Sequence, residues 1–116
     1  MREVTLWSLH LLAGIIVLVF LGIHMGVMHL DAIMGVKEPT SWGAVLSRGK
    51  GFFFPFIYLV ILAAGLYHGL YGLRNILLEL QGLRRVGKPL GWIIFLAGLA
   101  LFLYGAYIVI AASSVS

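Results

Sequence analysis

Apolar positions in this chain fall into three long runs, from about 6 to 30, from about 52 to 80 and from about 90 to 112, with polar positions gathered between them. Crossing a bilayer takes about 20 apolar residues at 1.5 Å rise each, so each run predicts a transmembrane helix. Turn-forming residues and charge interrupt the pattern twice. The first connection, Asp31 to Gly51, holds Pro39, Ser41, Gly43 and Gly49, and the second, Gln81 to Pro89, holds Gly82, Gly87 and Pro89. Connections this short make consecutive helices antiparallel neighbours. The expected fold is therefore an all-α membrane protein, one transmembrane domain over residues 1–116, arranged as an up-down bundle of three helices. The chain has no internal repeat and no low-complexity tract.

The first run begins after only Met1 to Thr5, where a signal peptide would lie. It lacks a small-residue cleavage pattern and carries His10, His24 and His29, so it is expected to be retained as a helix.

Composition supports the membrane class: 62% of residues are hydrophobic, 10% are charged, and mean hydropathy is +1.09. With 116 residues there is no room for a separate catalytic domain, so any large chemistry belongs to partners. The absence of cysteine excludes disulfides, thiolate metal sites and iron–sulfur ligation by this chain. A net charge of +4 and a pI near 9.8 would suggest nucleic acid in a soluble protein. Here the basic residues flank apolar runs, so the expected partner is membrane lipid and not nucleic acid. Arg2, Arg74, Arg84, Arg85 and Lys88 lie on the amino-terminal side, against Lys37, Arg48 and Lys50 on the other. That asymmetry predicts a cytoplasmic amino terminus and second loop, with the carboxyl terminus outside. Trp7, Trp42 and Trp92 are expected in the interfacial belts.

Candidate chemistry rests on histidine. His24 and His68 lie in the middle stretches of the first two spans, where an imidazole is costly unless something binds it. Counted from the span centres at 1.5 Å per residue, they are separated by about 12 Å along the membrane normal, too far to share one metal. Two haems, each taking one imidazole here and a second from another chain, would satisfy both, since the third span has no histidine. Around His68, Gly65, Gly69 and Gly72 remove side chains from the helix surface, giving clearance for a flat ligand. The alternative is a small-residue seam for helix packing, the commoner use of membrane glycines. The histidine between them favours haem.

The run from His68 to Glu79, with Gly72 and Arg74 inside it, resembles the histidine, glycine, arginine and acidic-residue pattern on the second helix of the membrane anchors of succinate dehydrogenase and fumarate reductase. Ala13-Gly14 followed by His24-Met25 is similar to the first-helix pattern of di-haem cytochrome b anchors in that family. The resemblance covers the first two helices. It implies that His24 is a distal and His68 a proximal haem b ligand, and that a second anchor subunit, an iron–sulfur subunit and a flavoprotein subunit complete a succinate:quinone oxidoreductase or quinol:fumarate reductase. Haem would then carry electrons between the iron–sulfur subunit and membrane quinone, with menaquinone expected, at a prokaryotic cytoplasmic membrane. The dicarboxylate chemistry would lie on the flavin subunit. One departure is clear: where many mono-haem members carry His-Arg-x-Ser-Gly, this chain has His10-Leu11-Leu12-Ala13-Gly14. Ser8 and His10 remain as candidate contributors to an inner quinone site.

Arg74 suits either a haem propionate or lipid phosphate. His29 and Asp31, at the outer end of the first helix, are candidate proton acceptors for a quinol, against a solvated helix end. Two rivals stand beside the anchor reading. One is a haem-free structural or transporter subunit whose histidines hydrogen-bond or relay protons. The other is the cytochrome b anchor of another quinone-linked enzyme, such as a hydrogenase or formate dehydrogenase.

Overall fold

A computed structural model describes residues 2–35, 38, 40–80 and 82–114; Lys37, Pro39 and Gln81, assigned above to the connections, lie outside the described residues. The chain forms α1 (Arg2–Ile33), α2 (Trp42–Gly49), α3 (Phe53–Glu79) and α4 (Gly87–Ser113), with a single 3₁₀ turn over Leu83–Val86. No strand occurs among the described residues. Three helices, α1, α3 and the stretch containing α4, are long and apolar enough to cross a membrane. They begin within about five residues of the positions expected from hydropathy. The molecule measures 54 × 26 × 24 Å, the shape of helices lying side by side.

The helix ends follow local chemistry. Pro55 and Pro89 each stand third in their helix, within the first turn, where backbone N–H groups have no intrahelical acceptor to lose. After α3, Leu80 turns extended and Gly82 takes φ +89°, a conformation that only glycine adopts without steric cost. Gly35, at φ +66°, plays the same part after α1. The first connection contains a helix that hydropathy alone does not predict. In α2, the Ser41 side chain accepts a hydrogen bond from the Ala44 N–H at 3.3 Å, the N-cap arrangement that stabilises a short helix. Gly49 lets α2 approach the end of α4: a Cβ there would lie 3.7 Å from the Ala112 carbonyl oxygen.

α3 is the hub of the bundle. It packs against α1 on one side and α4 on the other, while no Cα of α1 comes within 8 Å of one in α4. The α3–α4 seam is a knob-and-notch contact. A Cβ added at Gly98 would come within 2.7 Å of Leu70 Cδ1, and one at Gly105 within 2.5 Å of Leu62 Cδ2. Close approach at small residues is how helices gain dispersion contact in lipid, where water expulsion does not drive association. Among the described hydrophobic side chains, Ala13, Ile57 and Tyr71 alone are buried within the chain itself. The remaining apolar surface faces outward, as on helices that cross a membrane.

Candidate functional site

The α1–α3 interface brings histidines together at one level. His68 on α3 lies against α1 with its ring stacked on His10, the centroids 4.2 Å apart and the planes within 5°. Trp7 stacks on His10 in turn, at 5.2 Å. His68 Nδ1 is 3.0 Å from the His10 backbone oxygen. A carbonyl oxygen only accepts, so Nδ1 carries the proton and donates it. In the Nδ1–H tautomer the lone pair is at Nε2, the nitrogen that remains for a metal.

Gly14 makes this contact possible. A Cβ at Gly14 would lie 2.9 Å from His68 Cε1 and 3.0 Å from Nδ1, well inside normal carbon contact of about 3.5 Å. The glycine is thus a notch in α1 that admits the imidazole edge. The glycines on α3 behave differently. A Cβ added at Gly65 or Gly69 would meet nothing within 4 Å, and one at Gly72 would meet His10 Cε1 at 3.3 Å. At 100° per residue, Gly65, His68, Gly69 and Gly72 share an arc of about 100° on α3. Gly65 and Gly69 are consequently not a packing seam within this chain; the surface they clear is free for a ligand or a second subunit.

His24 lies at another level, edge-on to Tyr58 at 5.3 Å. Its Nδ1 is buried and has no hydrogen-bond partner in the chain, as is His10 Nδ1. Because His24 is level with Tyr58 and His68 with His10, the two candidate ligands are separated by about 15 Å counted along α3 from Tyr58 to His68 and about 21 Å counted along α1 from His10 to His24. Both are wider than the ~12 Å expected from span centres, because the helices pair in a different register from centre to centre.

Other candidates disperse. Ser8 is exposed, and His10 is committed to the ring stack. His29 is exposed and its Nδ1 contacts the Met25 carbonyl at 3.0 Å, while Asp31 stands half-buried in the last turn of α1. The Ser8–His10 and His29–Asp31 pairs are at opposite ends of α1, His10 and His29 being about 28 Å apart along it. Arg74 is turned about 120° around α3 from His68. Its Nη2 is 3.9 Å from Glu3 Oε1, its Nη1 donates to Asn75 Oδ1 at 3.2 Å, and its guanidinium lies over the Tyr71 ring. The structure therefore directs Arg74 toward the start of α1 and away from the His68 ring.

Sequence reading missed the tyrosines. Tyr67 donates to the Leu6 carbonyl at 2.8 Å, and Tyr71 donates to Glu3 Oε2 at 3.4 Å. With Arg74 they fasten the first turns of α1 to α3. Their i, i+4, i+7 spacing puts the three on one helix face, a signal present in the sequence.

A family model described as the succinate dehydrogenase/fumarate reductase transmembrane subunit matches residues 2–105. Comparison with curated proteins and with solved structures finds no match.

Proposed function

The chain belongs to the family of succinate dehydrogenase/fumarate reductase transmembrane subunits, a multi-pass membrane anchor, and we propose that within this family it is a haem b-binding anchor that links an iron–sulfur subunit to membrane quinone. The observation that carries this reading is the His68 Nδ1 hydrogen bond to the His10 carbonyl. It fixes the ring's tautomer and direction and leaves Nε2 as the ligating atom. The stack of His10 on the ring face does not obstruct it, because an imidazole coordinates in its own plane.

The residues fit the group at both levels. Next to His68, the open surface at Gly65 and Gly69 gives room for a planar macrocycle. His24, half-buried with a buried, unpartnered Nδ1 beside Tyr58, is the outer ligand, the hydrogen bond to its ring coming from a second anchor chain. Haem b, when bound, supplies a one-electron carrier whose potential depends on its axial ligands and their hydrogen bonds. This chain's part is to hold two imidazoles at fixed depth, to keep water from them with apolar helix walls, and to attach the soluble subunits. We assign menaquinone as the quinone and the basic amino-terminal side as cytoplasmic. His29 and Asp31 at the far end of α1 then stand at the outer surface, as acceptors for quinol protons. The flavoprotein subunit carries the dicarboxylate chemistry.

The test is spectral. In the purified complex, His68→Ala removes one b-type signal from the dithionite-reduced spectrum and His24→Ala removes a different one. Loss of the same redox centre in both variants, or a wild-type complex without haem, refutes the assignment.

A further inference from the structure

On the face of α3 turned about 130° from His68, the gap left between α1 and α4 forms a cleft of 640 Å³. Its floor on α3 runs from Ala63 to Arg74, about 16 Å of helix, against about 15 Å for one leaflet of the hydrocarbon core. The body is apolar, walled by side chains such as Leu66, Leu70 and Phe95. The mouth is cationic: Arg2, Arg74 and Lys88 line it, all three at the amino-terminal end of the bundle. No carboxylate is among the residues that line the cleft, and Glu3 stands beside Arg74 with its oxygen 3.9 Å away, beyond hydrogen-bond distance. Three cations against one carboxylate leave the mouth positive by two charges.

We propose that this cleft is a binding site for an anionic phospholipid, whose phosphate sits among Arg2, Arg74 and Lys88 and whose acyl chain lies along α3. Charge is at headgroup depth and apolar wall at acyl depth, in the order a phospholipid presents them. An uncharged quinone has no use for three cations. Basic pockets between transmembrane helices are suited to anionic headgroups, because each Lys or Arg near the surface adds attraction. This site is independent of the haem reading, since it uses the opposite face of α3.

The test uses the complex as purified, reconstituted into phosphatidylcholine nanodiscs with spin-labelled phosphatidylglycerol or spin-labelled phosphatidylcholine. The immobilised fraction of each label is read by electron paramagnetic resonance. Phosphatidylglycerol is expected to be immobilised in preference, the preference falling about fivefold for each cation removed in Arg2→Gln and Lys88→Gln. Arg85→Gln, on the exposed turn outside the cleft, should leave it unchanged. Ala63→Phe, which fills the floor, should reduce immobilisation of both labels. The haem spectrum should stay constant throughout, which separates this outcome from misfolding and from failure of the haem assignment. Three results overturn the proposal. They are equal immobilisation of both labels by the wild type, a fall in Arg85→Gln as large as in Lys88→Gln, and no immobilised lipid at all, as when a partner subunit fills the cleft.

Discussion

Replacing Gly14 by alanine isolates the contact on which the inner site depends. The new methyl group would begin 2.9 Å from His68 Cε1 and 3.0 Å from Nδ1, so the ring must retreat by about 0.5 Å to reach ordinary contact. Retreat stretches the 3.0 Å bond to the His10 carbonyl to roughly 3.5 Å, past the useful range. An interhelical hydrogen bond in a membrane protein contributes about 0.6 kcal/mol on average and up to about 1.7. An opposing effect has the same size: alanine is favoured over glycine in a helix interior by about 0.8–1 kcal/mol. The single variant is therefore uninformative by itself. Gly26→Ala on the same helix supplies the reference, since a Cβ at Gly26 meets nothing within 4 Å and reads the helix preference alone. Denaturation in mixed micelles should place Gly14→Ala below Gly26→Ala by about 1 kcal/mol, roughly a fivefold difference in the unfolding equilibrium. The haem assigned to His68 should also rise in midpoint potential in Gly14→Ala. Losing the Nδ1 hydrogen bond makes the imidazole a weaker donor, which disfavours the oxidised iron. Equal stability of the two variants, together with an unshifted potential, would refute the notch as the element that seats His68.

Tyr67→Phe should destabilise the same interface by roughly 0.6–1.7 kcal/mol in that assay, because its 2.8 Å bond to the Leu6 carbonyl is well formed. Tyr71→Phe should cost less, its bond to exposed Glu3 being 3.4 Å. Gly98→Leu should separate α3 from α4 at a cost of about 1–3 kcal/mol, measured by crosslinking yield between cysteines introduced on the two helices; an unchanged yield would contradict the Leu70 notch. Gly65→Leu should leave the stability of the bundle intact, as the position faces open space, yet lower the haem content by pyridine haemochrome assay. Full haem content in that variant would remove the Gly65 surface from the site.

The spans were legible because length and apolarity alone fix a membrane crossing, and no tertiary partner can override that. α2 was not. Its eight residues are too few for periodicity to register, and the Ser41 cap acts only once the loop has bent. Within the candidate site, the glycines around His68 drew attention to it in the sequence, and the structure adds a contact with Gly14 that depends on which residue of α1 faces it. That register is set by packing across helices, about which spacing within one helix carries no information. For the same reason the sequence left Arg74 open between a haem propionate and lipid phosphate, and its contacts with Glu3 and Tyr71 depend on how α1 packs. A count of residues gives height in the membrane far more readily than azimuth against a neighbour.

The separation of α1 from α4 also orders events during synthesis. Every atom that positions the His68 ring, from Trp7 to Arg74, precedes the second loop in the chain. The hairpin of α1 and α3 can close in the bilayer while the last span is still in the ribosome, so the imidazole pair is assembled before the polypeptide is finished. Loading of the proposed haem would then not need to wait for the carboxyl-terminal third, whose arrival completes the opposite flank.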